Sequence, residues 1–174
     1  MKGILILTIG NPDQSVIRNI SDALSRTFQL KVATGKGMNI PENSFNSRRR
    51  QYNATTILKE MLAEKPGEFD LMLGVTDADL YVSGLNFVFG EADVFSGATV
   101  ISLARLRQEF YALPADRRLF HERAAKEAIH EISHACGLDH CPDRKCIMYF
   151  SNTISDTDRK GPGFCRACKD TLGV

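Results

Sequence analysis

Three of the chain's four histidines fall within eleven residues, His130-Glu131-Ile132-Ser133-His134-Ala135-Cys136-Gly137-Leu138-Asp139-His140. Histidines four apart on a helix lie one turn apart and point the same way, so His130 and His134 can reach one metal ion. Gly137 lets the backbone leave the helix, through a positive φ, and turn back to deliver His140. Three neutral imidazoles leave the fourth position of a tetrahedral zinc open, as a catalytic site requires and a structural site does not. Glu131 directly follows the first ligand. Its carboxylate is placed to take a proton from a zinc-activated water and pass it to a leaving amine. The chemistry implied is metal-assisted hydrolysis of an amide. A surface histidine pair with His140 in an unrelated loop would not explain the order and spacing. A non-catalytic zinc on the same histidines would have no need of Glu131.

A second constellation follows at once. Cys141 is next to His140, Cys146 comes after four intervening residues, Met148 two positions later, and Cys165-Arg166-Ala167-Cys168 is a CxxC pair. In a reducing compartment such a cluster favours a metal over disulfides, and two close pairs of thiolates suit a closed, structural zinc. Free or disulfide-forming thiols are the alternative. Two zinc ions per chain are therefore expected, one catalytic and one structural. Cys141 abuts the third histidine, and Cys146 lies in the segment that carries Met148. The second metal is thus expected to clamp the third ligand and the floor of the first site. Cys136 reads as a small core residue.

The elements that must hold these groups are legible as an α/β pattern. Residues 2–9 are a continuous apolar run and read as a strand buried on both faces. Asn11-Pro12 reads as a helix start, followed by a buried stripe at Val16, Ile17, Ile20, Ala23, Leu24 and Phe28. Residues 30–34 read as a second strand, 35–47 as a long loop, and 48–64 as a second helix with Ala54, Ile57, Leu58 and Met61 inward. The basic run Arg48-Arg49-Arg50 reads as its solvated start or a loop. Residues 69–75, 85–89 and 97–104 read as further strands, and 76–79 as a turn rather than a cation site. A long helix from Ala115-Asp116 to Cys136 carries the apolar stripe Phe120, Ala124, Ala128 and Ile132, with His130 and His134 on the other side. The expected fold is a mixed twisted sheet of about five strands with three main helices. A small irregular zinc-stapled C-terminal part is expected to follow. It is one domain over 1–174, made of a sheet-and-helix part at 1–137 and a cysteine-rich part at 138–174.

Composition narrows the function classes. The 22 basic and 21 acidic residues leave a net charge of +1, which disfavours a general nucleic-acid or anionic-membrane binder. No apolar run approaches the ~20 residues of a spanning helix. The run at residues 4–7 reads as a strand rather than a secretory signal. A cytoplasmic protein made in its mature length, acting as a monomer on a peptide, is the expectation.

Together, the His130–His140 motif, Cys141, Cys146, Met148 and the Cys165/Cys168 pair resemble the archaemetzincins, a branch of the metzincin zinc peptidases. The specific part of the resemblance covers 130–168. It implies a metzincin-like fold, a zinc held by His130, His134 and His140, Glu131 as general base, and a Met-turn at Met148 beneath the site. It also implies a zinc on the four cysteines and an antiparallel edge strand bordering the cleft, a role that falls by position to 85–89. Aminopeptidase-like action on short peptides is a further implication. Some metzincins place a zinc-reaching tyrosine two residues after the methionine. Here that position is Phe150, and Tyr149 is not expected to be a ligand. The alternative function is a two-zinc structural or regulatory protein with little turnover.

Overall fold

Three apolar, largely branched stretches set the frame of the computed structural model, which describes residues 1–173; Val174, the end of the expected domain, lies outside the described residues. In chain order the elements are β1 (Ile4–Ile9), α1 (Gln14–Phe28), β2 (Val32–Thr34), β3 (Phe45–Asn46), β4 (Gln51–Asn53), α2 (Ala54–Leu62), β5 (Leu71–Thr76), β6 (Leu80–Tyr81), β7 (Gly90–Asp93), β8 (Ala98–Ser102), α3 (Arg117–Ala135), α4 (Ile154–Arg159) and α5 (Arg166–Leu172). The main sheet has five strands in the order β2-β1-β5-β8-β7. Its first four are parallel, and β7 runs antiparallel to β8 at the edge. A small second sheet joins β3, β4 and β6.

Strand alternation divides the core between the two faces. Ile4 and Ile6 of β1 pack with Val16, Ile20 and Leu24 of α1 and with Ala124, Ala128 and Ile132 of α3. Leu5 and Leu7 face the other way, onto Ile57, Leu58 and Met61 of α2. α1 and α3 thus cover one face and α2 the other. The mixed α/β sheet expected from the sequence is the one found.

The boundaries differ where side chains override local pattern. Asp13, not Asn11, caps α1, accepting from Ser15 N at 2.7 Å. The second helix begins at Ala54 rather than 48, because Gln51–Asn53 pairs with β3 and β6. Residues 85–89 do not form the edge strand; Gly90–Asp93 does. The reason lies in the basic run. The Arg49 guanidinium stacks on Tyr81 at 4.3 Å and donates to the carbonyls of Leu85 and Asn86. Gln51 takes the Asn86 carbonyl as well. Those carbonyls are unavailable to a neighbouring strand. The turn after β5 is as expected: Asp79 is gripped by Arg105 and Asp77 by Arg107, so these carboxylates are spent on ion pairs.

Candidate active site

α3 is capped by Asp116, whose carboxylate accepts from Leu119 N at 2.9 Å. The helix is buried on more than its apolar stripe: Arg123, Glu127, His130, Glu131 and Ser133 are buried too. Its polar side is therefore covered by another part of the chain. That cover is the tail after α3. The helix ends as Gly137 takes φ +90° and Leu138 N returns to Ser133 O at 3.0 Å. A side chain at that φ would be strained, whereas glycine adopts it freely. Leu138 then presents its carbonyl to His134 Nδ1 at 2.6 Å. His130 Nδ1 meets the Ile147 carbonyl at 2.9 Å.

A carbonyl only accepts, so each of these Nδ1 atoms carries the proton and each Nε2 presents a lone pair. The His134 Nε2 lies 3.1 Å from that of His130 and 3.2 Å from that of His140. Lone pairs so close repel unless a cation stands among them. Tetrahedral Zn–N bonds of about 2.05 Å would put the nitrogens about 3.3 Å apart, which the site matches within a few tenths of an ångström. Burial holds the His130 pKa well below the usual histidine value, helped by the Lys160 charge. Burial lowers His134 and His140 as well. All three rings are thus neutral near pH 7, as metal binding requires.

Glu131 is buried against the floor of a cleft of about 540 Å³ that the three histidines also line. Burial, then the nearby Glu127 charge, pushes its carboxyl up to about 8. A cation among the histidines would oppose that shift. Gly90 of β7 makes room for it: a Cβ there would lie 2.6 Å from Glu131 Cγ and 2.7 Å from its Oε1. One wall of the cleft is the segment from Val82 through β7, with Phe87 and Val88, and the other is Phe150, Ser151 and Asn152. Phe150 sets its ring 4.7 Å from that of His140, whereas Tyr149 is not among the lining residues.

The four tail cysteines also converge. Cys141 Sγ is 3.7 Å from Cys165 Sγ, and Cys146 Sγ is 3.7 Å from Cys168 Sγ. All four ligand atoms lie within 4.8 Å of one another. Tetrahedral Zn–S bonds of about 2.3 Å give sulfur separations of about 3.8 Å, whereas a disulfide would need about 2.05 Å. Cys165 caps α5, and the backbone N–H of Cys168 lowers its thiol pKa, whereas burial raises those of Cys141 and Cys168. Cys136 stays outside both clusters, its thiol pushed up to about 11 by burial. Met148 is fully buried in the α1–α3 core, and its carbonyl accepts from Cys141 N at 2.9 Å.

The structure therefore gathers His130, His134, His140 and Glu131 into one site and Cys141, Cys146, Cys165 and Cys168 into another, with Met148 between Cys146 and Cys165 in sequence. Sequence reasoning missed Gly90, Phe150, Glu127 and Lys160. Glu127 had a signal, since it precedes Glu131 by one helical turn. Lys160 had none, because its partner lies 33 positions away (127 to 160).

A family model for peptidase family M54 matches residues 8–173. The archaemetzincin of Methanocaldococcus jannaschii is 42% identical over 169 residues, covering 97% of this chain and 92% of that protein. Among solved structures, archaemetzincin from Methanopyrus kandleri superposes with a TM-score of 0.85 at 38% identity, covering 98% of this chain and 93% of that one. A zinc-dependent peptidase from Methanocorpusculum labreanum gives 0.89 at 31% identity, covering 98% and 100%. The matches span the sheet, the long helix and the cysteine tail alike, and the chain belongs to peptidase family M54, the archaemetzincin zinc metallopeptidases.

Proposed function

We propose that this metallopeptidase hydrolyses short peptides, with Glu131 as general base. His130, His134 and His140 hold the catalytic zinc, and Cys141, Cys146, Cys165 and Cys168 hold a structural one. The observation that carries the reading is the convergence of three Nε2 atoms beside a buried carboxylate in an open cleft. When bound, zinc polarises the scissile carbonyl and acidifies water. Glu131 accepts the proton of the attacking water and returns it to the leaving nitrogen.

β7 holds the substrate in the same reading. Ser102 N donates to Phe89 O, which fixes the odd-numbered residues of β7 as those bonded to β8. Gly90 and Ala92 then turn their N–H and C=O toward the free edge, where an extended peptide can add as a strand. Met148 serves as the Met-turn of a metzincin-type site, and the reduced cysteine cluster supports a cytoplasmic setting. The test compares zinc-loaded wild type with Glu131→Ala on short peptides with free and blocked N-termini. Wild type should cleave and the mutant should not. Equal activity would remove Glu131 as the base, and equal inertness with both proteins zinc-loaded defeats the reading in favour of a two-zinc structural protein. Preference for free N-termini would make it aminopeptidase-like.

A further inference from the structure

Glu127 and Lys160 form an ion pair that the hydrolytic steps above do not use. Lys160 Nζ lies 2.9 Å from Glu127 Oε1, with the two side chains 0% and 3% exposed. Thr157 donates its hydroxyl to the same oxygen at 3.1 Å. The contact from Lys160 is oblique, and its N–H groups find no well-aligned acceptor among the described residues. Such a pair is a poor device for stability alone. Desolvating two ions offsets most of their attraction, and well-packed apolar residues often do better.

Its position gives it another use. Glu127 sits one turn before Glu131 on the same face of α3, and both line the cleft. Lys160 ends the stretch of chain that begins at the opposite wall, Phe150, Ser151 and Asn152. Two further contacts sew that stretch to α3. Arg123 pairs with Asp158 at 2.7 Å, and Lys126 donates to Thr157 O at 3.0 Å. Residues 123, 126 and 127 share one face of α3, so α4 is held along it in a single register. Glu127–Lys160 is the member of this seam nearest the general base. Apolar side chains could slide past one another here, whereas a buried charge pair has one satisfactory alignment.

We propose that Glu127 and Lys160 are positioning residues of the active site, fixing the wall Phe150–Asn152 against the Glu131 turn of α3 so that the cleft is preformed for an extended peptide. This rests on reading the cleft as a peptide site. The test uses zinc-loaded wild type and the double variant Glu127→Leu/Lys160→Met. Melting temperature and zinc content are measured alongside the Kd of two zinc chelators. Acetohydroxamate reaches only the metal and the Glu131 carboxyl beside it; a tripeptide hydroxamate also spans the cleft. The double variant should melt at or above the wild-type temperature with zinc content unchanged. It should bind acetohydroxamate normally and the tripeptide hydroxamate about tenfold more weakly. If the double variant does not fold, Glu127→Gln, which keeps the shape and the Thr157 bond, should show the same selective loss. Unchanged binding of both chelators overturns the proposal. Parallel loss of both does so too, since that is a general structural effect, as does a wild type that binds the tripeptide no better than acetohydroxamate. No turnover is involved, so a chain that cleaves no peptide defeats the proposed function without deciding this point.

Discussion

Glu131 is buried at the floor of the cleft, and what holds the histidines can be told apart from it, which makes its role testable apart from metal binding. None of the groups that orient His130 and His134 involves its carboxylate: they are the Ile147 and Leu138 carbonyls. Glu131→Gln should therefore leave zinc content unchanged while kcat falls by roughly 10²–10⁴, the usual worth of a positioned proton acceptor. Zinc analysis and peptide turnover on the same sample check this; loss of zinc in step with activity would make Glu131 part of metal retention instead. Gly90 gives a second test. An added Cβ would meet Glu131 Cγ at 2.6 Å, a distance that forces one of them to move. At Gly84 and Gly137, by contrast, a Cβ meets nothing within 4 Å. Gly90→Ala should lower kcat by roughly 10²-fold through misplacement of the base, with zinc retained. Full activity in that variant would show that the close approach of β7 to α3 does not set the base's position.

α3 shows which parts of the site were legible in sequence. The structure sets His130 and His134 side by side, and Glu131 next to them, because helix geometry is local: 3.6 residues per turn fix where they point. His140 joins them because Gly137 makes the turn that returns it. The edge strand was misplaced because 85–89 looks like a strand by composition, whereas Arg49 and Gln51, more than thirty residues earlier (49 and 51 against 85), claim its carbonyls. Ile147 as the holder of His130, and Lys160 as the partner of Glu127, depend on the tail folding back, and no local pattern encodes that. The cysteine cluster directs this return. Cys141 N bonds to Met148 O and Cys165 N to Cys146 Sγ, so the cysteine loops and the segment orienting His130 form one unit. Cys165→Ser should consequently reduce zinc at the histidine site as well as at its own. Metal stoichiometry measures both losses; full occupancy of the histidine site with intact activity would disprove the coupling.

At the scale of the molecule, residues 138–173 show no core of their own among the described residues. Cys146, Ile147, Met148 and Cys168 are buried in the same cluster as Ile20 and Leu24 of α1 and Ala128 and Ile132 of α3. Phe164 of the tail meets Phe28 of α1 with ring centroids 6.4 Å apart. Arg123 and Glu127 of α3 take their charged partners from the tail. Removing the tail would expose apolar surface on α1 and α3 and strand two buried charges, so tail and sheet should unfold together. In the proposed two-zinc reading, the metal on the cysteines decides how firmly. Structural zinc contributes about 10–16 kcal/mol of apparent binding energy in small zinc modules, comparable to the ~5–15 kcal/mol stability of a whole domain. Its loss cannot be absorbed by packing at the tail alone. Calorimetry of the zinc-loaded protein should show one transition, with calorimetric and van't Hoff enthalpies equal. Stripping the cysteine zinc with a strong chelator should move that transition down by roughly 10 °C or more, because a chain of this size shifts ~2–4 °C per kcal/mol. It should also reduce the unfolding enthalpy, since the loosened tail takes part of the shared core with it. Two separate transitions in the zinc-loaded protein would contradict this, and would mean that the sheet and the cysteine-rich tail are independent units joined at Gly137.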